Sequence, residues 1–303
     1  MTEYPSSLEL VEVGPRDGFQ SVKEFIPTDL KKKIIDMLVD SGCKTIEVTS
    51  FVSPKAIPQM QDATEVAKYA IETYPDVHFE ALVPNLRGAQ NAFDAGIRKV
   101  TSVISVSQSH NKANINRTVE ESFEQLKSIL DTLPGLEVVL DAATAFGCPF
   151  EGTISYAQLE SYVEKAASIG IKNIDLCDTI GIANPLQIEK TICGLKAKFS
   201  QIKFGVHIHD TRNMGIANNL VALQCGITRI ASAVGGMGGC PFAPGASGNT
   251  SSEDFVYMAN QMSINTGINF EGLLATAKFI KENVPANYSG HHINIAPRQC
   301  TNG

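Results

Sequence analysis

At 303 residues with 43% hydrophobic content, the chain can bury a large core, and its length suits one α/β barrel or two ordinary domains. A net charge of −7 without a basic stripe excludes nucleic acid as a partner, and no apolar run approaches the roughly 20 residues of a membrane span. Residues 1–7 carry neither a signal core nor an Arg-rich presequence, and seven cysteines without paired spacing suit a reducing compartment, so a cytoplasmic protein without disulfides is expected.

Strand-like and helix-like segments alternate at a regular pace. Leu8 to Val13 is a short apolar strand ending in Gly14-Pro15-Arg16-Asp17-Gly18. Thr28 is expected to cap a helix with Leu30, Ile34, Ile35 and Leu38 at helical spacing, and Gly42 stops it. Lys31, Lys32 and Lys33 read as its solvated face. The second strand, Lys44 to Thr49, carries Glu47; a helix near Asp62 to Thr73 and a third strand, Val77 to Val83, follow. A short helix from about Leu86 to Ala95 leads into strand four, Lys99 to Val106. Thr118-Val119-Glu120-Glu121 is a capping box for a helix with Phe123, Leu126 and Leu130 inside, and Leu136 to Ala143 is strand five. The helix Tyr156 to Ser168, strand six at Lys172 to Cys177, and a helix started by Asn184-Pro185 continue the pattern. Strand seven runs into Gly205-Val206-His207-Ile208-His209-Asp210, the helix Asn213 to Cys225 follows, and Thr228 to Val234 is strand eight.

Eight strands, each followed by a helix, favour a single-domain (β/α)8 barrel of the TIM type over a doubly wound sheet. The barrel is expected over about 8–265, with a short C-terminal helical extension over about 266–303. In such barrels the chemistry sits at the C-terminal ends of the strands. There the sequence gathers Arg16 and Asp17, Glu47, Asp141 and Thr144, Asp178, His207 and His209, and Asn249. His207 and His209 stand two apart on a strand, so their side chains share a face. One carboxylate, two neutral imidazoles and an amide oxygen suit an octahedral Mg²⁺ or Mn²⁺ site, while zinc also accepts such donors.

Arg16, fixed between Gly-Pro and Gly, is placed to stabilise a developing oxyanion rather than to serve only in an ion pair with Asp17. The glycine-dense run from Gly235 to Asn249 reads as a phosphate-binding loop or a lid, with Cys240 as the reactive thiol it would carry. Cys148 is a second loop thiol, whereas Cys43, Cys177, Cys193 and Cys225 read as small core or helix residues. His110 is a weaker candidate for substrate contact, His78 is structural, and the His291-His292 pair reads as an exposed, idle tail.

Five stretches in order resemble the signatures of the 3-hydroxy-3-methylglutaryl-CoA lyases, of the DRE-TIM metallolyase superfamily. They are Gly14 to Gln20, Glu47 to Lys55, Gly147 to Gly152, His207 to Thr211, and Gly238 to Asn249, and the likeness runs from about Leu8 to Gly272. The resemblance implies a divalent cation held by Asp17, His207, His209 and Asn249, with Arg16, Glu47, His207 and Cys240 as catalytic residues. It further implies retro-Claisen cleavage of a 3-hydroxyacyl-CoA to acetyl-CoA and a keto acid, in a homodimer. Arg16, Asp141, Thr144 and Asp178 are the residues expected to touch the substrate.

The chain departs from the family pattern at Ser21-Val22, at Arg212-Asn213-Met214, in the tail, and at Asp141, where a tyrosine is expected. A carboxylate there alters the acyl group the site accepts, with citramalyl-CoA as one alternative. Rival readings are a Claisen-condensing synthase using acetyl-CoA and a non-catalytic metal-binding barrel. Synthases differ after the Arg-Asp-Gly element, and a scaffold needs none of these reactive groups. Biotin-dependent carboxyl transfer is weaker still, since no strand-end lysine suits a carbamylated ligand.

Overall fold

A computed structural model describes residues 4–239 and 248–295. Eight parallel strands close into a barrel in chain order. They are β1 (Glu9–Glu12), β2 (Thr45–Ser50), β3 (His78–Leu82), β4 (Lys99–Ser105), β5 (Glu137–Ala143), β6 (Asn173–Asp178), β7 (Lys203–Ile208) and β8 (Arg229–Ser232). The ring shuts where Leu10 of β1 pairs with Ile230 of β8. Around it lie α1 (Thr28–Asp40), α2 (Ala63–Thr73), α3 (Leu86–Asp94), α4 (Gln108–Ile115), α5 (Val119–Thr132), α6 (Tyr156–Ser168), α7 (Pro185–Lys198), α8 (Gly215–Gln224), α9 (Ser252–Gln261) and α10 (Phe270–Asn283).

The two faces of each strand have different work. Ile174 and Leu176 of β6 belong to the apolar layer between strands and helices, whereas the alternate residues Asp175 and Cys177 face the barrel interior. That interior is charged. Arg229 donates to Asp175 at 3.1 Å and to Glu80 at 2.7 Å, and Lys99 lies 3.0 Å from Glu80. A Cβ on Gly205 would sit 2.0 Å from Asp175 Oδ1, so β7 has a glycine where the carboxylate needs its space.

Several local expectations hold. The Thr118 hydroxyl accepts from Glu121 N at 3.1 Å and the Glu121 carboxylate accepts from Thr118 N at 2.8 Å, and Asn184 caps α7 ahead of Pro185. Others need correction. Pro27, not Thr28, precedes α1, and the Thr28 hydroxyl instead donates to Asp62 Oδ2 at 2.9 Å. Lys31 is buried, its ammonium 2.8 Å from Asp62 Oδ1, because α2 packs alongside α1 and brings a counter-ion to it. Between β4 and α5 stands an additional helix, α4, which carries His110. Cys193 is a helix residue, on α7, but exposed rather than in the core, with its sulfur 3.3 Å from that of Cys225. The tail histidines are not idle: the ring nitrogens of His291 and His292 both meet the Asp254 carboxylate of α9.

Candidate active site

The site begins where β1 stops. Past Glu12 the chain makes one wide helical turn, Gly14–Gly18, in which Asp17 N reaches back to Val13 O at 2.7 Å. Glu12 points away from the barrel axis and ties this turn down. Its carboxylate accepts from Gly14 N at 2.8 Å, from Val234 N at 2.9 Å and from the Ser252 hydroxyl at 2.5 Å. A Cβ on Gly14 would come within 2.6 Å of that carboxylate, so only glycine fits.

This turn presents Arg16 and Asp17 at the barrel mouth. Arg16 is buried, its Nε donating to Glu47 Oε2 and its Nη1 to Asp17 Oδ1, both at 2.5 Å. Two carboxylates therefore fix the guanidinium plane and leave its remaining edge for the cavity. Burial opposes the guanidinium charge, but Glu47, Asp17 and Asp141 outweigh it and hold Arg16 protonated. Asp17 Oδ1 also accepts from Gln20 Nε2 at 2.8 Å, and Asp17 Oδ2 from Asn249 Nδ2 at 2.7 Å. Although burial works against ionisation, Arg16 and the two histidines bring the Asp17 carboxyl down to about 2.

His207 near the end of β7 and His209 just beyond it place their rings 5.4 Å apart, centroid to centroid. His209 pairs with Asn249 in an isolated antiparallel bridge, which carries the amide from beyond β8 to the two imidazoles. Gly238, with φ +109°, permits this approach, since a Cβ there would lie 2.6 Å from Asn249 Nδ2. Asp17, His207 and His209 each offer a ligand atom, and these atoms lie within 4.8 Å of one another. His207 Nε2 and Asn249 Oδ1 are in close contact, and buried His209 Nδ1 has no hydrogen-bond partner among the described residues. Burial lowers both imidazoles, His209 to about 4, so they stand neutral as donors at physiological pH. One carboxylate, two neutral nitrogens and an amide oxygen fit a divalent cation of intermediate hardness.

Beside this cluster a cavity of about 430 Å³ opens from the barrel mouth. Arg16, Asp17, His207, His209 and Asp141 line its inner end, and Pro84, Asn85, Asn114 and Arg117 its outer side. Glu47 stands behind Arg16, within the interior, and Asn249 lies buried against Asp17 and His207. Thr144 and Asp178, both expected to touch substrate, sit off the cavity wall. Thr144, at φ +60°, hydrogen-bonds its hydroxyl to the backbone of Ala143 and Ser107, and Asp178 accepts from Ile182 N and Ala183 N to shape the loop after β6. Cys148 is buried, its thiol donating to the Ser107 hydroxyl at 3.0 Å. Cys240 lies outside the described residues.

The sequence reading missed Gln20, which orients Asp17, and Cys177, which lines the cavity beside Asp141 and His207. An inward position two residues after Asp175 is the one signal that marks Cys177. Gln20 closes the stretch from Gly14 that carries the resemblance, but its residue type alone gives it no role.

Comparison with known proteins gives a consistent picture. The family model described as HMGL-like matches residues 7–280. Hydroxymethylglutaryl-CoA lyase YngG of Bacillus subtilis is 43% identical over 281 residues, covering 92% of this chain and 94% of that protein. The mitochondrial hydroxymethylglutaryl-CoA lyase of Homo sapiens is 41% identical over 282 residues, 92% of this chain and 86% of its own length. The solved structure of an HMG-CoA lyase from Acinetobacter baumannii, in complex with coenzyme A and 3-methylmalate, matches with a TM-score of 0.89 at 38% identity, covering 98% of this chain and 99% of that one.

Proposed function

Because the chain belongs to the HMGL-like family, we propose that it is a divalent-metal-dependent carbon–carbon lyase. It would cleave 3-hydroxy-3-methylglutaryl-CoA, or a close 3-hydroxyacyl-CoA analogue, to acetyl-CoA and a keto acid. The observation that carries this reading is the convergence of Asp17, His207, His209 and Asn249 beside the clamped guanidinium of Arg16 at the mouth of one cavity. The coenzyme A bound in the A. baumannii lyase supports an acyl-CoA as the ligand. Free thiols at buried Cys43, Cys148 and Cys177 suit a reducing cytoplasm. A single-domain homodimer belongs to the same proposal and rests on the family likeness alone.

A bound Mg²⁺ or Mn²⁺ would supply Lewis acidity that lowers the pKa of the substrate's 3-hydroxyl. Asp17, His207, His209 and Asn249 would hold it. The hydroxyl proton would leave to a nearby base, a role His207 can fill only when its lone pair is not given to the cation, the C2–C3 bond breaks, and C3 becomes a ketone. The electron pair passes to the thioester as an enolate, and the free edge of Arg16 would hydrogen-bond its oxygen. Glu47 holds Arg16 in that orientation. Cys240 would then deliver a proton to C2, completing acetyl-CoA.

Running the reaction in D₂O tests this chemistry. The acetyl-CoA formed should carry one solvent deuterium on its methyl group. Free CoA with an intact acyl acid would identify a thioesterase and sink the lyase reading.

A further inference from the structure

Asp141 projects inward from β5 and is 5% exposed, yet among the described residues it makes no hydrogen bond and no ion pair. Its neighbours are all engaged: Asp17 and Glu47 with Arg16, Glu80 and Asp175 with Arg229. The unused carboxyl lines the inner end of the cavity, where its nearest oxygen, the Cys177 sulfur and a His207 nitrogen lie within 4.8 Å of one another. Among the described residues no hydrogen bond joins Asp141 to either group, and a limit of 4.8 Å admits one inserted oxygen. Two hydrogen bonds of about 2.8 Å meeting at a hydroxyl span roughly 4.6 Å.

Resting on the lyase reading of the same site, we propose that Asp141 selects the substituent on C3 of the substrate. It accepts a hydrogen bond from a hydroxyl on that branch, so the preferred acyl-CoA carries an uncharged, hydroxyl-bearing group there in place of methyl. Two alternatives fit the wall less well. A methyl branch leaves a buried carboxyl without a partner. A carboxylate branch enters a region where Asp17, Glu47, Glu80, Asp141 and Asp175 already face Arg16, Arg229 and Lys99. On the lyase reading the reacting 3-hydroxyl would go to the Asp17, His207 and His209 cluster, so the hydroxyl at Asp141 is a second one.

The test compares two thioesters on metal-loaded enzyme by acetyl-CoA release: 3-hydroxy-3-methylglutaryl-CoA and its analogue with hydroxymethyl in place of the 3-methyl. The wild type should favour the hydroxymethyl compound by about tenfold or more in kcat/KM. Asp141→Val should reverse that order, and Asp141→Asn, which keeps an acceptor and the shape, should retain part of it. The Asn variant and the wild-type ratio carry the test should the Val variant fail to fold. Wild type preferring the methyl compound, or a ratio unmoved by either variant, overturns the proposal while leaving the lyase reading intact. Failure of the wild type to cleave either thioester, with Mn²⁺ binding verified by calorimetry, overturns both.

Discussion

Arg16 shows how much one residue's surroundings add to its charge. Glu47 and Asp17 grip its guanidinium from two sides, a geometry a single ammonium cannot reproduce. Arg16→Lys should therefore lower kcat by about 10²- to 10³-fold while Mn²⁺ affinity, measured by calorimetry, stays within a few-fold of wild type. A variant that loses metal binding but keeps its turnover number at saturating metal would contradict the role assigned to Arg16. Glu12 gives a prediction of a different kind. Burial, against hydrogen bonds from Ser252, Val234 and Gly14, pushes its carboxyl up from 4.5 to about 7. Between those values the unfolded chain has released a proton that the folded chain retains, so this group's contribution to stability falls as pH rises through the window. Glu12→Gln keeps acceptors for Gly14 N and Val234 N and can donate to Ser252. Its melting temperature should gain on wild type between about pH 4.5 and pH 7, and a gap that stays constant would show that Glu12 does not titrate there. That Arg16, Asp17, His207, His209 and Asn249 meet was legible in the sequence because the strand ends of a barrel converge on one mouth. The engaged states of Thr144 and Asp178 were not, since both depend on loop backbones that only the closed fold brings near.

At the level of elements, the Thr118 box and the Asn184-Pro185 start read true, while Thr28 did not cap α1 because its hydroxyl goes to the distant Asp62. The Thr118 and Glu121 box is complete in the structure, so Thr118→Ala should reduce stability by about 1 kcal/mol in urea unfolding and leave turnover unchanged. Loss of activity in that variant would mean that the α4–α5 junction reaches the site more directly than its hydrogen bonds show. Lys31 sits in a run of three lysines, and only its pairing with Asp62, 31 residues away, distinguishes it from solvated neighbours. Helix α4 escaped notice because His110 and Asn111, which are buried, are polar and break the apolar periodicity. Asn111 earns its burial by bonding Ser105 N and the Ser122 hydroxyl, partners on β4 and α5.

For the whole molecule, eight repeating strand and helix signals were enough to read the barrel, because each βα unit advances the sheet in one direction. The charged interior was not read. Glu80, Asp175 and Arg229 come from three different strands, and only closure of the ring makes them one network. Gly205 tests that network: Gly205→Ala would force a methyl group against Asp175 and should cost about 3 kcal/mol in unfolding free energy. An unchanged stability would mean that Asp175 can move without loss. The central claim, that this barrel is a metal-dependent lyase, is tested most directly by acetyl-CoA release from 3-hydroxy-3-methylglutaryl-CoA and its analogues by metal-stripped protein, before and after adding Mg²⁺ or Mn²⁺. The account predicts release from at least one of these thioesters that depends on the cation and disappears in Asp17→Ala. Release that is equally fast without metal, or that survives in Asp17→Ala, would contradict it.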